Sequence, residues 1–352
     1  MKFAKLALTA LKSNFVSLDK PYKLTFAVTY SCQSRCLTCN IWGIKPKGEL
    51  TLEEIREFAK NNTSFQWIEL TGGEPFLRGD IVEIARAFYE NCKDLYIITI
   101  PTNSLCNPDI LTNRIEKILQ LGVPRLAITL SLDGYRELHE KIRGVPGNFD
   151  RVMEMAKRLR ELQNKHTNLF FVFGYTMSKY NEGALAKTIE EVSKIIPEIT
   201  SKNFHVNASQ VSEIYYSNEK NAVAQTRGEM AREIKWLIKK RKFELGAIPI
   251  IESAFLRHLV KYLYTGKTPI KSRSLEASLF MDSYGAVYPS IMWGKKIGNI
   301  KDTCYKLAQL WANSEAEEVR KLIREGKEPD AWTACEAYQA LVGNIPSLLR
   351  FW

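Results

Sequence analysis

The chain has 352 residues, of which 45% are hydrophobic and 25% charged, as in an ordinary globular protein. No stretch approaches the run of about eighteen apolar residues that a transmembrane helix needs. The net charge of +11 is spread along the chain, and its densest part, residues 234–244, fits a helix with one solvated basic face. The charge alone therefore does not indicate a nucleic-acid partner.

The N-terminus and the cysteines indicate a compartment. Residues 1–20 begin with an apolar, lysine-flanked stretch that lacks a signal-peptide cleavage site, which predicts a short amphipathic helix. Such a helix usually packs on its own domain, with contact to a membrane surface as the alternative. Seven cysteines, three of them clustered, do not form a disulfide framework and indicate a reducing environment and metal binding. We expect a cytoplasmic protein and leave peripheral membrane association open.

Strand and helix patterns alternate through the first two hundred residues. Thr51 and Glu54 predict a capping box at the start of one helix. The predicted strands cover 23–30, 66–70, 94–100, 125–132, 169–177 and 203–209. The predicted helices between them cover 51–61, 80–91, 109–121, 148–163 and 183–195. Largely apolar strands with helical crossovers predict an α/β fold, namely an open, partial (β/α)6 barrel with a parallel sheet.

The alternation ends after residue 210. Helical patterns fill 225–265, a β-hairpin is predicted at 277–290 with its turn at Ser283–Gly285, and a further helix is predicted at 305–325. We expect four parts, the last of them a smaller α+β domain that contains the hairpin. They are an N-terminal helix (1–20), the partial barrel (21–210), a helical connection (211–270) and the C-terminal domain (271–352).

Three cysteines follow the first predicted strand, at the strand ends where chemistry gathers in barrels of this kind. Cys32, Cys36 and Cys39 have the spacing C-x3-C-x2-C. Three thiolates on one loop can hold three irons of a four-iron cluster and leave the fourth iron open to another ligand. The alternative is a zinc site completed by a distant histidine. The histidines available for that are His139, His166, His205 and His258.

Short motifs also follow the next three predicted strands: "TGGEP" (71–75), "PTNS" (101–104) and "SLDG" (131–134). Together with the cysteine spacing and the later "HEKIRGVPGNF", they resemble the radical S-adenosylmethionine (AdoMet) superfamily across residues 22–210. The resemblance implies a [4Fe–4S] cluster whose open iron binds AdoMet. It further implies that the reduced cluster cleaves AdoMet to a 5′-deoxyadenosyl radical, which abstracts a hydrogen atom from the substrate. A reductant such as a ferredoxin or flavodoxin would supply the electron.

The same resemblance assigns contacts to AdoMet. Gly72, Gly73 and Glu74 would bind the amino group of its methionine part, and glycines also let a backbone approach a ligand closely. Ser131 resembles the residue that contacts the ribose or the carboxylate. Arg143 resembles the guanidinium that clamps the carboxylate. The alternative for Ser131 and Arg143 is a loop position without a ligand.

Further candidates for contact with AdoMet lie near the same strand ends. Asn103 follows the third strand, and Ile41 and Trp42, which follow the last cysteine of the motif, could pack on the adenine. Thr38 stands where the family often has an aromatic residue, so stacking on the adenine is left unassigned.

A second motif near the C-terminus lacks its cysteines. Residues 272–290 resemble the C-x(9–15)-G-x4-C segment of radical AdoMet enzymes with a SPASM or Twitch domain, but Ser272 and Ser290 occupy the cysteine positions. Ala331 and Cys335 stand where a later ligand pair would be. Serine is a poor ligand for such irons and alanine is none, so we predict that no auxiliary [4Fe–4S] cluster is bound. Engineered replacement and natural loss both remain open, and the intact frame around the serines favours the first.

The other cysteines, Cys92, Cys106 and Cys304, are predicted to be buried thiols.

For the substrate, the resemblance favours a peptide or protein. A lipid or another small molecule comes next, motivated by the apolar N-terminus and the tail "SLLRFW", and transfer RNA is disfavoured because only the charge supports it. A non-catalytic iron–sulfur or zinc scaffold is the rival class, and the "TGGEP" motif argues against it.

Overall fold

One sheet of nine strands forms the centre of the described chain. The computed structural model describes residues 1–220, 227–241 and 246–349. The strand order is β6-β5-β4-β3-β2-β1-β7-β8-β9, and every pair from β6 to β7 is parallel, whereas β7, β8 and β9 pair in antiparallel fashion. The strands are β1 (Lys23–Thr29), β2 (Trp67–Gly72), β3 (Ile97–Thr102), β4 (Arg125–Ser131), β5 (Leu169–Met177), β6 (Phe204–Ala208), β7 (Ser278–Met281), β8 (Ala286–Tyr288) and β9 (Gly298–Asn299).

Helices connect the strands, and those between β1 and β6 confirm the predicted alternation of strands and helices. The predicted capping box is present, because the Thr51 hydroxyl accepts from the Glu54 N–H and the Glu54 carboxylate accepts from the Thr51 N–H. The helices are α1 (Lys2–Lys12), α2 (Leu52–Asn61), α3 (Ile81–Asn91), α4 (Pro108–Gln120), α5 (Arg136–Arg143), α6 (Asn148–Lys165), α7 (Leu185–Ile195), α8 (Arg227–Lys240), α9 (Ala247–Thr265), α10 (Leu307–Trp311), α11 (Ser314–Arg324), α12 (Ala334–Val342) and α13 (Ile345–Leu349).

The open (β/α)6 prediction is confirmed, since six parallel strands alternate with helices and the sheet does not close. The helix predicted at 305–325 is two helices, because the side chain of Asn313 caps α11 at the Ala316 N–H and separates it from α10. Of the pattern at 225–265, residues 225–226 and 242–245 lie outside the described residues. Helices α5, α12 and α13 were not predicted.

Two predictions about the periphery have different outcomes. The predicted N-terminal helix is present as α1. The prediction of buried thiols holds for Cys92 but is wrong for Cys304, which is exposed, and Cys106 is half-buried. Cys304 follows a short 3-10 turn, Ile300–Thr303, and its left-handed φ of 49° ends that turn at the surface. Among the described residues, no helix is long and apolar enough to cross a bilayer.

The two faces of the parallel sheet differ in accessibility. On β2, Ile68 and Leu70 are fully buried in the core beneath the helices, whereas Trp67 and Glu69, on the opposite face, stay partly exposed. Strands β3 to β6 show the same alternation of buried and partly exposed residues. We call the face that carries Trp67 and Glu69 the inner face. It borders accessible space beneath the strand ends.

The C-terminal segment docks directly on β1. Strand β7 pairs with β1 from Lys23↔Ser278 onwards, so the predicted hairpin, which is present as β7 and β8, extends the barrel sheet. Lys23 is fully buried, with its Nζ 3.7 Å from Glu69 Oε2 and donating to the backbone oxygen of Cys335 on α12. This buried ammonium stabilises the contact between the barrel and the C-terminal helices, because a buried charge requires partners.

Candidate active site

A single cavity lies at the carboxyl ends of the parallel strands. It encloses about 890 Å³, including its open mouth, which is within the usual range of ligand pockets. Every residue that the sequence predicted for the cluster and for AdoMet lines this cavity. They are Cys32, Cys36, Cys39, Ile41, Trp42, Gly72, Gly73, Glu74, Asn103, Ser131 and Arg143.

The cysteine loop rests on the end of α5. The backbone N–H groups of Arg35 and Leu37 donate to the carbonyl oxygens of Arg143 (2.8 Å) and Ile142 (2.9 Å), which α5 leaves free at its C-terminus. Gly144 ends the helix with a left-handed φ of 66°, and a Cβ there would lie 2.7 Å from the Cβ of Arg35. Glycine therefore allows the cysteine loop to lie close against this turn.

The segment after β6 holds the other side of the loop. We call residues 209–218 the strap. The Asn40 N–H donates to the Tyr216 carbonyl at 2.8 Å, and the Asn218 side chain donates to the Thr38 carbonyl at 2.9 Å. The strap thus connects the end of β6 to the cysteine loop after β1.

The three thiols of the cysteine loop line the cavity in low-dielectric surroundings. Burial raises the pKa of Cys32 to about 11 and that of Cys39 to about 12, while Cys36 is buried. Polar donors face two of the sulfurs: Asn103 Nδ2 lies 3.7 Å from Cys32 Sγ, and Arg143 Nη1 lies 3.7 Å from Cys36 Sγ. Such thiols stay protonated until a metal displaces the proton, so metal binding here is coupled to proton release.

None of the four histidines lines the cavity, so none is placed to complete a zinc site at the cysteine loop. His139 accepts from the Asp133 N–H through Nδ1 (3.1 Å), so its Nε2 donates to Asn148 Oδ1 (3.1 Å). Burial, with Arg143 nearby, lowers the pKa of His139 to about 3, which keeps it neutral. The other histidines have partners elsewhere: His205 with Glu252, His166 with Glu116, and His258 with Trp332.

The two glycines of "TGGEP" are required for a close backbone contact that the sequence did not reveal. Their segment donates back to the end of β1, from the Gly73 N–H to the Thr29 oxygen and from the Glu74 N–H to the Ser31 oxygen, both at 2.8 Å. A Cβ on Gly72 would overlap the Thr29 oxygen and one on Gly73 the Ser31 oxygen, and Gly72 has φ 125°. The glycines are needed for the close approach of two chain segments before any ligand binds.

Glu74 supports the neighbouring strand end. Its carboxylate accepts from the Asn103 N–H at 2.7 Å, from the Thr102 hydroxyl at 2.9 Å and from the Phe76 N–H at 3.2 Å. Burial raises the pKa of Glu74 to about 7, against the lowering effect of these hydrogen bonds. Glu74 therefore fixes Asn103 at the cavity wall.

Arg143 is positioned by residues that the site prediction did not include. Its Nε lies 2.7 Å from Asp133 Oδ2. Burial alone would lower the pKa of Arg143, but Asp133 and Cys36 raise it, so the guanidinium stays charged. Asn148 donates to the Asn103 carbonyl at 2.8 Å and, with His139, completes a buried network. Asp133, His139 and Asn148 all lie within "SLDG…HEKIRGVPGNF", which was the available signal.

The residues after Cys39 face different environments. Trp42 donates from Nε1 to the Cys39 carbonyl at 2.8 Å, the Arg35 guanidinium lies 5.1 Å from its ring centre, and the side chain is 38% exposed. Ile41 is buried in a cluster with Tyr30 and Phe280. Both border the cavity, so their predicted contact with the adenine stays a prediction.

The cavity wall contains buried polar atoms that have no partner. Ser34 is 1% exposed and Gln210 is 7% exposed, and Ser34 Oγ and Gln210 Nε2 make no hydrogen bond within the described chain. Buried polar groups in folded proteins are usually paired, so unpaired ones that border a cavity suit a bound polar group. With three thiols lining the same cavity, the residue types present fit an iron–sulfur cluster and a polar organic cofactor.

The C-terminal motif has a different arrangement. Ser272 Oγ donates to Ser274 Oγ (2.7 Å), and Ser274 Oγ donates to Glu336 Oε2 (3.1 Å). Ser290 Oγ accepts from the Met292 N–H at 3.2 Å. Cys335 Sγ lies 3.4 Å from Glu69 Oε1 on the inner face. These polar side chains bond one another or the backbone.

The family comparison agrees with this geometry. Residues 26–192 match the sequence model of the radical SAM superfamily. Parallel strands with a three-cysteine loop at their carboxyl ends define a radical SAM domain, and the match covers that part of the chain. Residues 26–192 therefore form a radical SAM domain, and the enzymes of this superfamily use a [4Fe–4S] cluster and AdoMet.

Relatives by sequence carry different activities in their names. The chain is 26% identical over 333 residues to an AdoMet-dependent heme synthase of Methanosarcina barkeri, a match that covers 88% of this chain and 86% of the relative. It is 34% identical over 142 residues to a probable GTP 3′,8-cyclase of Methanocaldococcus jannaschii. That second match covers 38% of this chain and 44% of the relative, so it spans less than half of each.

Solved structures share the fold. anSMEcpe with bound AdoMet has a TM-score of 0.61 at 15% identity, covering 94% of this chain and 98% of its own. Streptococcus suis SuiB bound to precursor peptide SuiA has a TM-score of 0.58 at 19% identity, covering 88% of this chain and 69% of its own. At these identities the likeness concerns the fold alone.

Proposed function

We propose that Cys32, Cys36 and Cys39 hold the [4Fe–4S] cluster and that the facing cavity wall binds AdoMet. The observation that carries this proposal is that all predicted site residues line one cavity. When bound and reduced, cluster and AdoMet supply a 5′-deoxyadenosyl radical that takes a hydrogen atom from the substrate. The chain's own part is to hold and orient these groups.

Individual roles follow from the contacts. Arg143, kept charged by Asp133 and facing Cys36, is placed to pair with the AdoMet carboxylate beside the cluster. The segment Gly72–Glu74 would offer backbone carbonyls to the ammonium group. Asn103 and Ser131 border the space between these two groups and would orient AdoMet by hydrogen bonds.

The C-terminal part, residues 271–352, is proposed to be a Twitch- or SPASM-like domain without an auxiliary cluster. Ser272 and Ser290 already take part in hydrogen bonds within the chain, and Ala331 has no ligand atom. The proposed boundaries of the other parts remain 1–20, 21–210 and 211–270. Whether the serines are native or engineered makes no difference to this proposal.

A peptide or protein is the first proposed substrate class. Two proteins of similar fold, SuiB and anSMEcpe, have been solved with bound peptides, which supports the proposal by fold alone. The cavity opens to solvent at the strand ends, so a peptide side chain could enter while its backbone stays outside.

A polar small molecule is the second candidate, and the inner face supports it. Glu69, His205 and Asn207 are partly exposed on that face, beneath the proposed AdoMet site. The heme synthase and GTP cyclase names among the relatives are in line with small substrates. Lipid contact has one supporting observation, the exposed Leu8, Leu11 and Phe15 near α1.

A ferredoxin or flavodoxin is proposed as the reductant.

The test is anaerobic reconstitution followed by equilibrium dialysis with AdoMet and by reduction with dithionite. The proposal expects AdoMet binding and 5′-deoxyadenosine formation by the wild type and neither by Cys32→Ala. Deoxyadenosine formation at the wild-type rate by Cys32→Ala would contradict it. The substrate class is then read from stimulation of deoxyadenosine formation by peptide pools or by small-molecule extracts.

A further inference from the structure

Helix α1 has two apolar faces, and only one of them packs on the protein. Ala10 is buried and Leu6 is partly buried, in a cluster with Tyr22 and Ala277. Because residues three and four positions apart share a face of a helix, these two side chains of α1 lie together on its packed face. By the same periodicity, the side chains at positions 4, 8, 11 and 15 lie on the opposite face, which points to solvent.

The solvent face of α1 carries a continuous row of apolar side chains. Leu8 is 66% exposed, Leu11 is 42% exposed and Phe15 is 81% exposed, and Ala4 is exposed as well. The helical path continues beyond the end of α1, since the Phe15 N–H donates to the Lys12 carbonyl at 3.0 Å. We call Ala4, Leu8, Leu11 and Phe15 the outer stripe. Large apolar side chains that are exposed side by side indicate an interaction surface.

The charged residues beside the outer stripe are basic. Lys5 and Lys12 are exposed, and their spacing of seven places both along one edge of the stripe. Lys5 also pairs with Asp94 at 2.7 Å, an exposed ion pair of the kind that contributes little stability. Residues 1–18 contain no aspartate or glutamate, and the whole chain has a net charge of +11.

These charges discriminate between possible occupants of the outer stripe. The stripe of a second copy of the chain would bring no carboxylate from residues 1–18 to the lysines, so pairing of two stripes would leave the basic edges without partners. A bilayer that contains anionic lipids offers negative charge at its surface and an apolar layer just below it. The combination of an apolar row and a basic edge therefore favours a lipid surface.

The outer stripe lies at the amino ends of the strands, whereas the candidate active site lies at their carboxyl ends. The ring of Phe3 on α1 is 5.4 Å from the ring of Tyr96, which comes just before β3. Gln66, which comes just before β2, donates from Nε2 to Thr9 Oγ1 on α1 at 2.9 Å. Because the stripe is on the face of α1 opposite to these contacts, it points away from the cavity.

We propose that the outer stripe and Lys12 dock the enzyme on an anionic lipid surface. The apolar side chains would enter the boundary between head groups and acyl chains, and Lys12 would lie beside the head groups. The inference goes beyond the proposed function and does not depend on it, because lipid is here a surface and not the substrate. Docking through α1 would leave the mouth of the cavity open to the aqueous phase.

The test is co-sedimentation of the reconstituted holoenzyme with lipid vesicles. We expect binding to phosphatidylcholine vesicles that contain phosphatidylglycerol, weaker binding to vesicles of phosphatidylcholine alone, and release by high salt. Leu8→Gln and Phe15→Gln should each weaken binding at least about fivefold, because each variant buries less apolar surface in the bilayer. Lys12→Gln should weaken binding about fivefold, as expected for one lost cation at an anionic surface.

Matched controls change exposed residues of the same kinds elsewhere. Ile110→Gln on α4 removes an apolar side chain that is 51% exposed, and Lys157→Gln on α6 removes an exposed lysine. Both controls should bind the vesicles as the wild type does. In the absence of vesicles, every one of these variants should form 5′-deoxyadenosine at the wild-type rate, because α1 lies at the end of the strands opposite to the candidate active site.

The outcomes separate this proposal from the proposed function. No binding of the wild type to vesicles, equal binding to the two kinds of vesicle, or unchanged binding by Leu8→Gln and Phe15→Gln would overturn the docking proposal alone. A wild-type dimer in the absence of vesicles that Leu8→Gln converts to a monomer would also overturn it, because a second copy would then cover the stripe. Wild-type holoenzyme that binds vesicles but forms no deoxyadenosine would overturn the proposed function alone.

Discussion

Two groups of polar side chains in this molecule look alike in sequence and differ in structure. At the strand ends, three thiols border a cavity together with two buried atoms, Ser34 Oγ and Gln210 Nε2, that have no hydrogen-bond partner within the described chain. In the C-terminal motif, Ser272 is bonded to Ser274, which is in turn bonded to Glu336. Unpaired buried atoms that border a cavity suit a bound ligand, and we call that region the open site. We call the region around Ser272, Ser274 and Glu336, whose side chains bond one another, the closed region.

The largest effect is expected from removing one thiol of the open site. Cys36→Ser should abolish cluster binding and deoxyadenosine formation, because serine is a poor iron ligand and two thiolates hold too few irons. Cys304→Ser, at an exposed cysteine, is the matched control and should behave as wild type. Iron analysis and chromatography of the products measure both. Normal iron content in Cys36→Ser would show that the cluster lies elsewhere.

The stability of the closed region should depend most on the buried ammonium group of Lys23. Lys23→Met removes the ammonium that lies 3.7 Å from Glu69 Oε2 and that also attracts the Glu336 carboxylate, and breaking a buried pair costs about 3–5 kcal/mol. We expect a loss of this order in the free energy of unfolding by urea, whereas Lys20→Met, at an exposed lysine, should change it little. Equal stability of the two variants would mean that Lys23 does not stabilise this region.

The open site also depends on the close approach of two chain segments. Gly73→Ala places a Cβ against the Ser31 carbonyl, and we expect a loss of about 1–3 kcal/mol of stability together with weaker AdoMet binding. Gly79→Ala has open space around its Cβ and is the control. Thermal unfolding of the reconstituted proteins measures the difference. A Gly73→Ala protein as stable as the Gly79→Ala protein would contradict the packing argument.

The smallest expected effect is a pH dependence in the closed region. Burial raises the pKa of Glu336 to about 7 from 4.5, against the opposing effect of Lys23. The folded state thus holds this proton more tightly, so the stabilising contribution is complete below pH 4.5 and is lost as the pH rises through 7.

Glu336→Gln should remove this loss. Relative to wild type, the variant should gain stability as the pH rises from 4.5 to 7, by about 1.4 kcal/mol per pH unit at most. Glu315→Gln, at an exposed glutamate, should not. Urea midpoints at several pH values measure this, and parallel curves for wild type and Glu336→Gln would refute the assignment.

The site was largely predictable because its residues follow predicted strands. Cys32, Gly72, Asn103 and Ser131 each come at or just after a strand end, and parallel strands bring those ends to one edge. The supporting network, including Asp133, was not predicted, because the sequence does not show which polar group a motif residue contacts.

The fold was less predictable where pairing is long-range. Periodicity predicted β7 but not its parallel pairing with β1, since local patterns do not show which strands become neighbours. Helix α5 was missed because it is short and mostly charged, with only His139 and Ile142 buried. The strap has no periodic pattern, and nothing in the sequence shows that its tyrosines contact Thr71 and Asn40.

The central claim is one open cluster and one closed region, and a count of iron and sulfide per chain tests it most directly. After anaerobic reconstitution and reduction with AdoMet, we expect about four irons and four sulfides, with 5′-deoxyadenosine formed. About eight irons would show that the closed region still holds a cluster. Stoichiometric zinc without deoxyadenosine would contradict the account of the open site itself.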